Sequence, residues 1–359
     1  MTKQTNGAFA MKIAVLPGDG IGPETTRAAL TVLAAASDAF GFSTELSEYA
    51  FGGNAIDLHG DPFPTVTREA LKTADAVLKG AVGGPQWDMG EVRPEHGLLA
   101  LRAELGVYAN IRPIRQWTSK LASPLRDDLI AGLDFVIIRE LTGGLYFGPK
   151  ELTDETGMDT CRYTVEEVER VCRYAFDLAR ERRGKVCSVD KQNVLSSSKL
   201  WRRVVTERVA PDYPDIELTH QLVDSMAMRL IEQPTAYDVI VTENMFGDIL
   251  SDLAASVSGG IGIAPSASLG AKRPGLFEAI HGSAPDIAGR GVANPTAMIL
   301  TIAMMLRELD QASAADAIEA AAIHTLEHGP TTPDLGGTAS TNDVGVAVAA
   351  RLKIHEVLR

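Results

Sequence analysis

Cysteine is scarce. The 359 residues include three, Cys161, Cys172 and Cys187, an odd number without metal-like spacing. That argues against a disulfide framework or a zinc ribbon and suits reduced, partly buried thiols in a cytoplasmic protein. Long apolar runs are missing as well. None approaches the roughly 18–20 residues a membrane span needs, and the opening "MTKQTNGAFA" has no signal-type apolar stretch and reads as a loose tail. Positive charge is in deficit, with 34 Lys and Arg against 47 Asp and Glu and a net charge of −13. Such a chain repels phosphate backbones, so neither nucleic acid nor membrane is expected as a partner. An acidic protein that binds an acidic small molecule must gather its basic groups locally, which directs attention to arginines.

What is present is an ordinary globular composition, 45% apolar and 23% charged, long enough for roughly two domains. Strand-like runs at Ile13–Leu16, Ala76–Leu78, Phe135–Ile138, Val186–Val189 and Val239–Thr242 alternate with helical patterns at Glu24–Ala39, Thr164–Arg183 and Ser198–Val209. Thr164 and Glu167 fit a capping box, with Gly184 as a helix stop. This alternation predicts an α/β architecture with helices on a largely parallel sheet. "LTGGLYFGPKELTDETGMDTCRYT" breaks it with two short β-like pieces around a polar loop, the pattern of a projecting hairpin arm. "SGGIGIAPSASLG" is glycine-rich enough for a hinge or domain crossing.

"MKIAVLPGDGIGPE" imitates a dinucleotide fingerprint and fails it. Gly18 and Gly20 occupy the first and third glycine positions, but Pro23 stands at the sixth. No Gly-Lys-Ser/Thr follows, so this is not a P-loop either. The residues read as a strand-to-helix turn with Pro23 near the first helical position.

In "TENMFGDILSD", Asp248 and Asp252 fall on one helix face, roughly 5–6 Å apart at Cβ. Like charges so placed call for a divalent cation with oxygen ligands, Mg²⁺ or Mn²⁺, unless the face is simply solvated. Asp224, at the strand end expected after "THQLV", is a third candidate ligand, with helix capping as its plainer role. "RPEHGLLALRAELGVYANIRP" carries the basic residues of interest. Arg102 shares a helix face with Leu98 and nearly with Leu99, and Arg112 ends the next strand-like run. Arg139 ends "LDFVII" in the same way. Ligands of α/β sheets sit beyond strand ends, so these arginines could fork two carboxylates; the alternative is pairing with nearby glutamates.

Together these stretches resemble the β-decarboxylating dehydrogenases, the group of isocitrate and isopropylmalate dehydrogenases. "GDGIGPE", "LKGAVGGPQWD", "RPEHGLLALR", "ANIRP", "RELTGGLYFG", "VDKQNV", "TENMFGDILSD", "HGSAPDIAGRGVANP" and "DLGGT" occur in the family's order, from Met11 to the last helix. The resemblance implies a two-domain α/β fold not wound in Rossmann order, with a large mixed sheet, helices on both faces and a β-hairpin dimerisation arm. A cofactor domain would comprise residues 1–107 plus 260–359, and a central substrate and dimerisation domain residues 108–259, its arm at about 141–164. The implied assembly is a homodimer with shared active sites.

By position, Arg102, Arg112 and Arg139 would grip carboxylates of a 3-alkylmalate. Asp224, Asp248 and Asp252 would hold Mg²⁺ or Mn²⁺, with Lys191 and Asp224 reaching the site from the partner subunit. Lys191 would assist deprotonation of the C2 hydroxyl, hydride would pass to the nicotinamide, and Tyr146 would protonate the enol carbon after CO₂ leaves. Leu98, Leu99 and Val194 would surround the substrate's variable group, and their apolar character suits the isopropyl-bearing acid of leucine biosynthesis. Siblings acting on tartrate/D-malate, homoisocitrate or another alkylmalate are the alternatives. Gly83 and Gly84 would flank the nicotinamide. Glu278, His281, Gly282, Ser283, Ala284, Pro285, Asp286, Asn294 and Asp334 would complete the cofactor site. Asp286 would bind ribose hydroxyls and repel a 2′-phosphate, which favours NAD. Two departures flank the metal carboxylates: Leu253 stands where glutamate is frequent, and Ser225-Met226 replaces asparagine-alanine. A catalytically silent homologue would have lost Lys191, Tyr146 or an aspartate, and all are present.

Overall fold

The computed structural model describes residues 10–357; the stretch read as a loose tail lies outside them except for Ala10. The strands are β1 (Met11–Leu16), β2 (Thr44–Glu48), β3 (Ala76–Lys79), β4 (Val107–Arg115), β5 (Asp134–Glu140), β6 (Lys150–Leu152), β7 (Gly157–Asp159), β8 (Lys185–Asp190), β9 (Glu217–Leu222), β10 (Val239–Thr242), β11 (Pro265–Gly270) and β12 (Gly275–Ala279). All but β6 and β7 join one sheet, in the order β2-β1-β3-β12-β11-β4-β5-β10-β8-β9, which is not the Rossmann order. Every residue of β3, β10 and β12 is buried. Such unalternating apolar strands need cover on both faces, the habit of parallel sheets between helices. The sheet is mixed because β4 runs antiparallel to β5.

The chain forms two compact units. One runs to Leu101 and resumes over Gly262–Ala267 and from Lys272; the other comprises Arg102–Ile261 and Ser268–Ala271. In the first, the Thr296–Glu308 helix has ten buried positions out of 13, so it is a core helix without a solvent face. In the second, Phe135, Ile137, Val189 and Ile240 of the sheet pack with Met226, Leu230, Leu250 and Ala254. That core fastens the Val223–Glu232 and Asn244–Val257 helices, which carry Asp224, Asp248 and Asp252, onto the strands.

Local expectations largely hold. Pro23 sits in the first turn of the Gly22–Phe40 helix. The Val165–Arg180 helix begins at the Thr164–Glu167 capping box and buries Val168, Val171, Cys172, Ala175, Phe176 and Ala179, the stripe expected of an amphipathic helix. The helix expected over Ser198–Val209 is α-helical only over Ser196–Val204 and continues as a π-turn over Val205–Val209. A 3₁₀ turn over Ala210–Asp212 follows directly, with Pro211 in its first positions, where its missing N–H is not needed. The expected arm is a hairpin in which Lys150, Glu151 and Leu152 pair antiparallel with Asp159, Met158 and Gly157, and every residue of both strands is exposed. Arg112 does not end its strand; β4 passes through Pro113 to Arg115, with Pro113 opposite Val136.

Replacing Thr164 with Ala removes the acceptor of the Glu167 N–H and the hydroxyl donor to the Glu167 carboxylate, while the backbone N–H of residue 164 can still donate to that carboxylate. A loss of about 1 kcal/mol is expected, read as a lower urea midpoint at unchanged slope.

Candidate functional site

In β4, Asn110 and Arg112 are two residues apart and share one face of the sheet. Arg139 stands directly opposite Asn110 in the antiparallel register. The Asn244–Val257 helix lies hard against that position, since a Cβ on Gly247 would come within 2.7 Å of the Arg139 Cβ. Any larger residue at 247 would lift the helix away. Asp248 and Asp252 therefore face the guanidinium groups. Arg139 Nη1 bonds Asp248 Oδ1, Arg112 Nη2 lies 3.4 Å from the same oxygen, and Arg112 Nη1 is 3.3 Å from Asp252 Oδ1. Tyr146 donates its hydroxyl to Asp248 Oδ2 at 3.0 Å. Arg102 is buried, as are Arg112 and Arg139. The carboxylates facing Arg112 and Arg139 are thus the candidate metal ligands.

Electrostatics separates the two aspartates. Burial works against charge on Asp248, but Arg139 and Arg112 together outweigh it and hold its pKa below the usual carboxylate range. Asp252 moves the other way, raised first by burial and further by Asp248, with Arg112 opposing. Burial and the neighbouring Arg112 lower Arg139 to about 9, so it remains a cation at neutral pH. Buried guanidinium groups gathered in one place are a setting for an anionic ligand.

Lys191 and Asp224 form a pair of their own, with Lys191 Nζ donating to Asp224 Oδ1 at 2.6 Å. Lys191 follows β8 in a turn organised by buried Asp190, which accepts from Gln192 N and Arg202 Nε. Asp224 is the second residue of its helix and exposed, and Val194 is 65% exposed. Among the described residues, no three His, Cys, Asp or Glu side chains are grouped so as to hold a metal ion. One chain therefore does not assemble Asp224 with Asp248 and Asp252. The donor set still fits a hard divalent cation, because Asp248 and Asp252 offer oxygen ligands one helical turn apart.

The candidate cofactor residues lie in the first unit. The opening glycines do more there than turn the chain. A Cβ on Gly18 would lie 2.0 Å from the Ala81 carbonyl oxygen, and one on Gly20 2.0 Å from that of Ser283. Both have positive φ, 72° and 59°. Ile21 N donates to Ser283 O at 2.8 Å, so this turn is packed directly against the two segments expected to carry the cofactor. Between its glycines, buried Asp19 accepts from the N–H groups of Gly53, Asn54 and Gly83 at 2.8, 2.8 and 2.9 Å. The sequence reading missed Asp19, although a carboxylate between two glycines after an apolar strand was a usable signal. It also missed Lys79, a lysine closing an apolar strand, which pairs with Glu278 at 2.7 Å with little exposure of either.

His281 is buried, with Nδ1 3.0 Å from Gly282 O, and its Nε2 has no partner. Burial, with Lys79 adding to it, lowers its pKa and keeps the ring neutral. An orphaned buried ring nitrogen is a polar group awaiting a ligand. Ala284 holds a left-handed φ of 39° beside it, and Pro285 and Asp286 are exposed. Buried Asn294 donates to Asp334 Oδ2 at 3.0 Å. These residues fit a nucleotide. Leu98 and Leu99 are half-buried in the first unit, on the Pro94–Leu105 helix that also carries Arg102.

Residues 12–348 match the family model described as isocitrate/isopropylmalate dehydrogenase. The chain belongs to that family. A 3-isopropylmalate dehydrogenase of Lactococcus lactis is 53% identical over 343 residues, 95% of this chain and 99% of the relative. One of Staphylococcus saprophyticus is 51% identical over 340 residues, 94% of this chain and 98% of the relative. The crystal structure of an isocitrate dehydrogenase from Methylococcus capsulatus superposes with a TM-score of 0.88 at 37% identity, covering 96% of this chain and 99% of its own. The chain is thus a dehydrogenase of the isocitrate/isopropylmalate family, consistent with a nucleotide cofactor, a divalent metal and a small-molecule substrate. Among the described residues no helix is long and apolar enough to cross a membrane.

Glu243 caps the helix that carries both aspartates, accepting from Phe246 N at 2.8 Å and from the Tyr163 hydroxyl at 3.1 Å. Burial raises its pKa above 4.5, so its contribution is fully present below the unfolded value and is lost as pH rises through the folded one. Gln keeps the acceptor without the charge. Urea unfolding of Glu243→Gln from pH 5 to 8 should show its stability rising relative to the parent chain as pH increases; a constant difference would contradict the assignment.

Proposed function

We propose that this chain catalyses the NAD-dependent oxidative decarboxylation of (2R,3S)-3-isopropylmalate to 4-methyl-2-oxopentanoate and CO₂ in leucine biosynthesis, in the cytoplasm, with Mg²⁺ or Mn²⁺. The observation that carries this reading is the buried cluster of Arg102, Arg112 and Arg139 facing Asp248, Asp252 and Tyr146. A divalent metal would add positive charge beside these arginines, and a dicarboxylate with a third aspartate would answer it.

The arginines bind and orient the substrate's carboxylates by bidentate hydrogen bonds. Asp224, Asp248 and Asp252 would hold the metal, which would supply Lewis acidity at the C2 oxygen, and the nicotinamide would supply the hydride acceptor. Lys191 assists the deprotonation of the C2 hydroxyl, directly or through water. Tyr146, held by Asp248, returns a proton to the carbon that has lost CO₂. Burial and Asp248 raise the Tyr146 pKa, which keeps the phenol protonated for that step. Leu98, Leu99 and Val194 receive the isopropyl group. Gly83 and Gly84 border the nicotinamide, and Glu278, Gly282, Ser283, Ala284, Pro285 and the orphaned His281 line the rest of the nucleotide site. Asn294 and Asp334 complete it, and Asp286 selects NAD over NADP.

The second unit forms a homodimer, in which Lys191, Asp224 and Val194 of each subunit complete the site of the other. Two observations support this. The arm pairs only three residues per strand with Leu152 and Met158 exposed, too little to be stable without a second surface. Met228, Ile231 and Ile249 also stand exposed on the two aspartate-bearing helices.

An assay with isopropylmalate, isocitrate, homoisocitrate, tartrate and malate, each with NAD or NADP, tests the substrate and the cofactor. Isopropylmalate with NAD should turn over fastest, and EDTA should abolish the rate until Mn²⁺ is restored; faster turnover of another acid would overturn the substrate, and EDTA-resistant turnover the metal. Lys191→Ala should lose about 10²–10⁴ in kcat while eluting as a dimer, and near-parental turnover would remove its role. Asp19→Ala, which unties the Gly83 amide, should raise KM for NAD more than KM for the hydroxy acid.

A further inference from the structure

The two arginines of the sheet share an arrangement that their charge alone does not explain. Arg112 Nε donates to Asn110 Oδ1 at 2.7 Å, and Arg139 Nε donates to Asn244 Oδ1 at 2.9 Å. Both asparagines are fully buried, at 0% exposure. An arginine has donors only, so each amide must present its oxygen to the guanidinium and its nitrogen elsewhere. Asn110 Nδ2 goes to Ser268 Oγ at 3.0 Å. Asn244 Nδ2 goes to the Gly143 carbonyl at 3.1 Å, in the turn that leads to Tyr146.

A buried guanidinium is usually oriented by a carboxylate, which locks its plane and also cancels its charge. Here the Nε edge of both groups is held by a neutral oxygen. The plane is fixed at the cost of one hydrogen bond, and the charge is kept for whatever faces the Nη edge. We infer that Asn110 and Asn244 are positioning residues for the dicarboxylate: they orient the Arg112 and Arg139 forks without neutralising them, and Asn244 also ties Arg139 to the turn bearing Tyr146. This inference rests on the dicarboxylate reading above.

The isosteric change Asn→Asp separates orientation from charge. In Asn110→Asp the carboxylate still accepts from Arg112 Nε, and the Ser268 hydroxyl can rotate to donate to it. In Asn244→Asp the second oxygen meets the Gly143 carbonyl oxygen and repels it, so the Tyr146 turn is disturbed as well. The neutral controls are Asn110→Ser and Asn244→Ser, which shorten the acceptor without adding charge.

The full chain is tested with Mn²⁺ by calorimetric titration and by steady-state kinetics, using the acid that the parent chain binds best among isopropylmalate, isocitrate, tartrate and malate. In Asn110→Asp, Kd and KM for the acid should rise about tenfold, at least five times more than kcat falls. Its KM for NAD should stay within about twofold and its thermal midpoint should not drop, because the new ion pair is a local gain. Asn110→Ser should weaken binding less than Asn110→Asp. Asn244→Asp should lower kcat and raise KM together. Unchanged acid affinity in Asn110→Asp, a larger effect in Asn110→Ser, or equal rises in both KM values with a falling midpoint would overturn the inference. Should the acid bound best not be isopropylmalate, the substrate proposed above fails, while the comparison of Asp with Ser still decides the role of the amides.

Discussion

The second unit depends on the contact between Gly247 and Arg139. A helix that carries two carboxylates is brought close enough to a sheet that carries buried guanidinium groups for each to compensate the other. Burying either set alone would carry a penalty of several kcal/mol per ion. The absence of a side chain at Gly247 permits the approach, and the core under Leu250 and Ala254 maintains it. The resulting field lowers the Asp248 pKa and leaves Asp252 raised. Two aspartates four positions apart thus become chemically distinct.

The first unit solves a different problem by a related route. Its candidate cofactor residues lie mostly on loops, Glu278 of β12 aside, and loops need something rigid behind them. Backbone packed on backbone supplies it: Gly18 against Ala81, Gly20 against Ser283, with the Asp19 carboxylate gathering three amide groups. The penalty is a buried carboxylate whose pKa is raised chiefly by desolvation. The arrangement also shows why Gly18 and Gly20 tolerate no substitution, since each combines a left-handed φ with a carbonyl at bonding distance.

Much of this was legible in the chain. Strand and helix periodicity placed the five strands and three helices named from it within a few residues, because parallel strands buried on both faces and capped amphipathic helices have strong local signatures. The capping box at Thr164 and the exposed arm were readable for the same reason. Arg112 was misplaced at a strand end because Pro113 normally terminates a strand, whereas β4 runs on to Arg115. Asn110, Asn244, Asp19 and Lys79 escaped notice because their importance comes from partners dozens to more than a hundred positions away, at Ser268, Gly143, Gly83 and Glu278. No local pattern reports such pairings. Asp224 carried a helix-start signal and an acidic side chain, and the side chain that meets it within one chain is Lys191.

The division of the chain also sets a schedule for its synthesis. The second unit is nearly continuous in sequence, so all but its Ser268–Ala271 strand segment is available once Ile261 has left the ribosome. The first unit is not. β3 pairs with β12, Ala76 beside Gly275, so the sheet begun at Met11 lacks its inner neighbour until about 200 further residues are made. At elongation rates of about 5–20 residues per second that gap lasts on the order of 10–40 s, during which the edge of β3 away from β1 has no strand of its own chain to pair with. β3, made early, is therefore among the last strands to gain its second neighbour.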